Sequence, residues 1–230
     1  VGFANVENSA ASPENRYVAT SKDSNTDGET LSVFGQVIWS ITDSLEATVG
    51  RRYTDETKDS IFQQLYNNPA VTAIFRPADD PLGVVTANQK FTNFSPEATL
   101  TWKPQDVLMV NAAYRTDYKS GSFSNSGINS GFSQDPTADL TFNEEEAEGF
   151  EVGVKSTLMD NQLRLNVTAY SFEYTDLQVD FFRSDIFAFN TITADATVRG
   201  YEVELEYAPL GVPGLILNGV LNYNKSEYDN

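Results

Sequence analysis

The 230-residue chain carries 33 acidic against 15 basic residues, a net charge of −18, so it lacks the basic face that a nucleic-acid partner needs. It has no cysteine and no histidine, which removes disulfides, thiolate chemistry and the commonest metal ligand and general base. No segment approaches the ~20 apolar residues of a membrane-spanning helix, but a membrane β-strand needs only ~9–11 residues with one apolar face and leaves almost no hydropathy signal.

In chain order, residues 1 to 28 read as polar and irregular. A first strand follows, with Leu31, Val33, Val37, Trp39 and Ile41 alternating with Ser32, Gln36, Ser40 and Thr42. The chain turns at Thr42-Asp43-Ser44 and returns with Leu45, Ala47, Val49 and Tyr53 set against Glu46, Thr48 and Arg52. Residues 55 to about 90, with Pro69, Pro77 and Pro81, read as one long loop holding a short helical turn near Ser60–Tyr66. Next comes a hairpin over Phe94–Phe123. Ala98, Leu100 and Trp102 share one face, Lys103-Pro104-Gln105-Asp106 makes the turn, and Leu108, Val110, Ala112, Tyr114 and Tyr118 share the face of the return strand. A Gly/Ser/Asn-rich loop from Ser120 to about Phe142 reads as flexible.

Alternation resumes at Phe150, Val152 and Val154, turns at Leu158–Gln162, and continues in Leu165, Val167 and Ala169. There the phase slips: Tyr170, Phe172 and Tyr174 demand either a β-bulge near Ala169–Tyr170 or aromatics lining the polar face. A shorter loop, Phe181 to Asn190, leads to Tyr201, Val203, Leu205 and Tyr207 opposite the carboxylate row Glu202, Glu204 and Glu206. After a turn rich in Pro and Gly, Leu215, Leu217, Leu221 and Tyr223 alternate with Asn218, Asn222 and Asn224. Val1 is not an initiator and Asn230 follows directly on a strand-like run, so both ends read as cut from a longer protein.

The expected fold is all-β: an antiparallel up-and-down meander of about eight long strands, part of a transmembrane β-barrel. Short and long connections alternate, which sorts them onto opposite rims as in outer-membrane barrels. The two-faced pattern by itself fits a soluble barrel equally well. Aromatics near both strand ends suit interfacial girdles, and Arg115, Glu151, Lys155, Arg164 and Glu204 in mid-strand suit a wet lumen better than a packed core.

Three ordered motifs carry a family resemblance. The first is Phe94–Phe123, with its Ser-Pro, its Pro-Asp-type turn and a strand ending in Tyr118-Lys119-Ser120-Gly121-Ser122-Phe123. Glu148–Ser156 runs through a turn into Asn161–Val179, and Val198–Leu205 precedes a partner strand at Asn222–Tyr228. Together they resemble the β-barrel of TonB-dependent outer-membrane receptors. The resemblance implies a fragment (1–230) of a barrel of about twenty-two strands, without the plug domain. It further implies a multi-pass protein of the Gram-negative outer membrane, in contact with outer-membrane lipid. Such a receptor takes up an iron-siderophore or a similarly scarce nutrient, is not an enzyme and uses no cofactor. Its energy comes from the TonB inner-membrane complex through the plug. The alternative is a small self-closed barrel acting as passive porin or anchor.

Candidate ligand-binding residues are Arg115, Tyr118 and Lys119, where a strand meets a long loop and an anionic chelate can be met, and Phe181 and Phe182, with Phe187 and Phe189 in the same polar stretch. Pairing of the cations with nearby acids, and packing of the aromatics against their own loop, are the plainer readings. Asp23–Gly28 matches the first half of a calcium loop, but the twelfth position is Phe34, and a polar external loop fits better. Glu202, Glu204 and Glu206 form an open row with ~7 Å spacing and no nucleophile, which suits lumen lining.

Overall fold

The computed structural model describes residues 7–125 and 127–229. Eight strands form a single antiparallel meander: β1 (Thr20–Thr42), β2 (Leu45–Asn67), β3 (Val84–Gln105), β4 (Leu108–Lys119), β7 (Glu145–Leu158), β8 (Leu163–Arg183), β9 (Ala188–Tyr207) and β10 (Leu217–Tyr228). Between β4 and β7 lie a two-residue ladder, β5 (Ser122–Phe123) with β6 (Thr141–Phe142), and one short helix, α1 (Pro136–Leu140). The sheet is open: β1 and β10 are its two edges.

Register fixes which side chains share a face. Trp39, Ala47, Leu100, Ala112, Val152, Ala169, Tyr201 and Tyr223 form one continuous cross-strand row over all eight strands. The next row is Leu45, Trp102, Val110, Val154, Val167, Val203 and Leu221. The intervening residues form the other face. They include Glu46, Thr101, Asn111, Gly153, Thr168, Glu202 and Asn222. Phe34 and Ile38 of edge strand β1 fall on this polar face, opposite Arg52 and Thr48. The apolar face is bare, with Trp39, Phe150 and Val152 each more than half exposed. A contiguous apolar surface of this extent is foreign to a monomer in water.

The strands overshoot the sequence-based bounds. β1 starts at Thr20 within the stretch read as irregular, and β2 runs to Asn67, so the helical turn expected at Ser60–Tyr66 is strand. Polar residues continue the ladder there because cross-strand hydroxyl contacts, such as Thr26 with Ser60 at 2.9 Å and Ser32 with Thr54 at 3.2 Å, hold it without apolar burial. The same extension ends the calcium reading: Asp23–Gly28 is extended β1, which cannot wrap its carboxylates around an ion. The loop expected from Phe181 to Asn190 narrows to residues 184–187 between β8 and β9.

The phase slip in β8 is explained by aromatics on the polar face, and no bulge sits near Ala169–Tyr170. Pairing is unbroken at Ala169 and Tyr170, so Tyr170, Phe172 and Tyr174 line the polar face. The bulge comes later, between Tyr174 and Leu177, where Asp176 adopts φ 54° and its N–H donates to Asp195 Oδ1 at 3.0 Å. Two motif glycines make the aromatic lining possible. A Cβ at Gly149 would lie 2.7 Å from Phe172 Cγ, and one at Gly200 would lie 2.6 Å from Tyr170 Oη. Each ring lies over the bare backbone of the neighbouring strand.

Candidate functional site

The upper ends of the strands carry a folded cap. Its first element is the chain leaving β4. β3 and β4 pair only from Ala98 with Tyr114 downward, whereas β4 stays on β7 up to Lys119 with Glu145. Pro96 stands just above the break, where it has no N–H for a ladder, and its carbonyl instead accepts from Thr116 Oγ1 at 2.7 Å. Released from β3, the chain turns over the polar face. Lys58 Nζ on β2 donates to Ser120 Oγ at 2.6 Å and to the Gly121 carbonyl at 2.8 Å, and Ser120 Oγ donates to Glu56 at 3.0 Å. Gly121 is required here: a Cβ would press within 2.7 Å of the Phe91 ring.

The stretch read from sequence as flexible, Ser120 to about Phe142, is packed over its described residues. Phe62, Val85, Phe123 and Leu140 form the one apolar core found among the described residues. Around it the polar groups are paired across long separations. Gln64 Nε2 donates to the Arg76 carbonyl at 2.8 Å and to the Asn129 carbonyl at 3.2 Å, and the Asn129 N–H returns to Gln64 Oε1 at 3.0 Å. Lys22 Nζ donates to the carbonyls of Asn125 at 2.6 Å and Gly127 at 3.0 Å. On the far side, Arg183 pairs with Asp139 and Asp185, and Asn190 Nδ2 donates to the Asp139 carbonyl at 2.6 Å. α1 starts on Asp135, whose side chain accepts from the Ala138 N–H at 3.1 Å, with a proline in its first turn. The cap thus bridges β1–β3 to β8–β9. Lys22, Lys58, Phe62 and Gln64 all belong to the polar face, so the polar face is the one that chain folds over.

Electrostatics reinforce the cap in its loops. The Leu82 N–H, and then Arg76, hold the Asp80 carboxyl below its usual range; the Arg76 contact is 2.8 Å. The hydrogen bond from Arg183 does the same for Asp185. Glu144 goes the other way: burial, with Glu146 and Asp176 nearby, pushes its carboxyl up.

Of the candidate ligand residues, Arg115, Tyr118 and Lys119 come together. They line one cleft of about 350 Å³ with Asp117, Glu145 and Tyr174. Arg115 is already engaged, with its Nε 2.9 Å from Glu151 and an Nη 4.0 Å from Glu97; Lys119 Nζ is 3.9 Å from Glu145. The Tyr118 hydroxyl is enclosed with no hydrogen-bond partner. Phe181 and Phe182 part company, as consecutive strand residues must. Phe182 clusters with Phe187 and Phe189 at ring distances of 5.3 and 5.0 Å, while Phe181 stands exposed opposite Asn190. Lys22, Lys58, Gln64, Asn129 and Arg183 were missed by sequence reasoning. Each takes its role from a partner 40 or more residues away, at 105, 63, 65, 65 and 44 positions respectively.

The polar-faced sheet, bare apolar band and inward cap are accompanied by a family match: residues 2–230 fit the model of the TonB dependent receptor-like β-barrel. The chain belongs to that family. Solved structures of similar fold include the ferric yersiniabactin uptake receptor FyuA from Yersinia pestis. That match has a TM-score of 0.68 at 16% identity, covering 92% of this chain and 29% of that one. The ferric-catecholate import receptor Fiu from E. coli, in its closed form, gives 0.65 at 18% identity, with 90% and 29% covered. The copper transporter OprC gives 0.65 at 14%, with 88% and 29%. This receptor-barrel chain therefore spans under a third of the length of each of these three structures. At such identities the likeness establishes the fold alone.

Proposed function

We propose that the chain forms part of the wall of an outer-membrane receptor of a Gram-negative bacterium, one that captures a scarce nutrient such as an iron-siderophore and passes it inward. Energy would come from the TonB inner-membrane complex, through a plug domain lying outside this chain. The observation that carries this reading is the cap seated on the polar face. A wall whose loops close over its charged side, and whose greasy side is left bare, encloses water and contacts lipid. Family membership and the iron-siderophore receptors among similar folds support the cargo class. We assign Arg115, Tyr118 and Lys119 to ligand contact at the cleft they line, where two cations suit an oxygen-rich anionic chelate. Exposed Phe181 is assigned to an apolar part of the same cargo. No catalytic role is assigned.

Two measurements test the reading. A deletion strain grown on single iron sources should lose growth on one of them, and Arg115→Gln with Lys119→Gln should impair that same growth. Growth unchanged on every source sinks the transport assignment. The absence of cysteine in this chain allows single nitroxide labels. In lipid, a label at Val152 should be reached by oxygen and one at Gly153 by a water-soluble nickel chelate; the opposite result inverts the wall.

A further inference from the structure

The two edges of β3 fare differently. One is paired with β2 from Val84 to Trp102 without a break, while the other loses β4 above Ala98. Pro96 shows which backbone groups face the open side, because its carbonyl accepts from Thr116 on β4. Along a strand, N–H and C=O of one residue point the same way and alternate sides with the next. Thr86, Asn88, Lys90 and Thr92 therefore aim both groups to where β4 would have run, had it not turned inward at Ser120. Among the described residues nothing pairs with them. The comparable edge of β8 above β7 is closed. There the Gln178 N–H donates to Glu145 Oε2 at 2.9 Å, and its side chain donates to the Ser120 and Asn143 carbonyls at 3.0 and 3.1 Å. The β3 edge is also held firmly, with β2 on one side and Val85 and Phe91 buried under the cap. An unpaired, preorganised edge is a template for another strand.

Charge selects that strand. The cations beside the slot are engaged: Lys90 with Asp55 at 2.9 Å, Lys58 with Glu56 at 3.2 Å, Lys119 with Glu145 at 3.9 Å, and Arg51 over the Phe94 ring. Asp59, Asp117, Glu146 and Glu148 have no basic partner among the described residues. We infer that the Thr86–Thr92 edge takes an extended cationic peptide as an added strand, in the line of β4. Side chains of the peptide on the Lys90 face run between Asp59 and Glu146, where lysine or arginine fits. Those on the opposite face lie beside Ala87 and the cap, where an apolar residue fits. Main-chain pairing supplies the affinity and the alternate side chains supply the specificity. The inference goes beyond nutrient capture, since it needs only the seam and not the identity of any cargo.

The test uses the full-length receptor in neutral detergent, titrated calorimetrically with three peptides. They are acetyl-Lys-Val-Lys-Val-Lys-Val-Lys-amide, the same chain with Glu for Lys, and the lysine chain N-methylated at every residue. The lysine peptide should bind, and each of the others should bind at least roughly tenfold more weakly, the scale of two lost hydrogen bonds. Amide exchange at Thr86, Asn88, Lys90 and Thr92 should slow on binding. Thr86→Pro with Thr92→Pro removes two seam-facing donors at an edge that tolerates proline, and should weaken binding roughly tenfold. Thr86→Val with Thr92→Val keeps those donors and should leave binding unchanged. Heat-modifiable migration reports whether each variant is folded; if the proline variant is not, the methylated peptide decides. No binding of the lysine peptide, equal binding of the methylated one, or slowed exchange confined to other segments overturns the site. Equal binding of the glutamate peptide overturns the charge selection. A receptor that is dimeric, and monomeric as the proline variant, assigns the edge to a second copy and overturns the peptide.

Discussion

The lower half of the sheet and its cap solve opposite problems. The lower half exposes its apolar residues and keeps its charges, Arg115 with Glu151 or Arg164 with Glu206, on the face that the cap folds over. The cap buries Phe62, Phe123 and Leu140 and spends Lys22, Lys58 and Gln64 on the carbonyls of its own loop. One region is built for lipid on one side and water on the other; the other is built as a small water-soluble core. Their difference shows that hydrophobic residues in one chain can serve two solvents when register assigns them to opposite faces.

The comparison is broken most severely by charge on the bare face. Val152→Lys, mid-strand on β7, should cost about 2–4 kcal/mol at the membrane midplane and prevent assembly, read as loss of heat-modifiable migration. Thr168→Lys on the polar face should leave migration unchanged. If both variants assemble equally, the two faces are not distinct in solvent. Leu140→Ala should loosen the cap by roughly 2–5 kcal/mol, the range for a fully buried leucine. Hydrogen exchange at residues 120–144 would quicken while the amides of β7 and β8 stay protected. Exchange quickening throughout would mean that cap and wall fold as one unit.

The smallest effect is that of pH. Asp80 and Asp185 are held below their usual range by the Leu82 N–H and by Arg183, so they favour the closed cap once ionised. That contribution is present above about pH 4, the range of free aspartate, and fades as pH falls through the lowered values. Exchange at 68–83 and 184–187 should therefore rise on acidification before the sheet opens. The Asp80→Asn, Asp185→Asn variant should lack the step. A step that persists in this variant assigns the effect to other groups.

The period-two band was legible because each Leu, Val or Trp on it reports a face through its immediate neighbours. The turns at Asp43, Asp106 and Asp160 were legible for the same local reason. The cap was not. Its sequence, Gly121 to Gly131 with scattered Ser and Asn, has no period, and its stability lies in contacts such as Gln64 with Asn129 that no local pattern announces. Strand extension through Asp23–Gly28 was hidden because polar, solvent-bathed ladders lack an apolar stripe. Arg115 and Lys119 were found together because the two-residue period puts both on one face of β4, whereas Tyr118 falls on the other face and reaches the same cleft only through the fold; Phe181 and Phe182 were separated by that same alternation.

The seam at Pro96 has a consequence for how such a wall is furnished. A ring of fully zipped strands would leave a chain emerging from β4 no route except upward and away. By ending the zipper early, one imino acid opens a doorway, and the stretch that follows walks through it to become the ceiling of its own room.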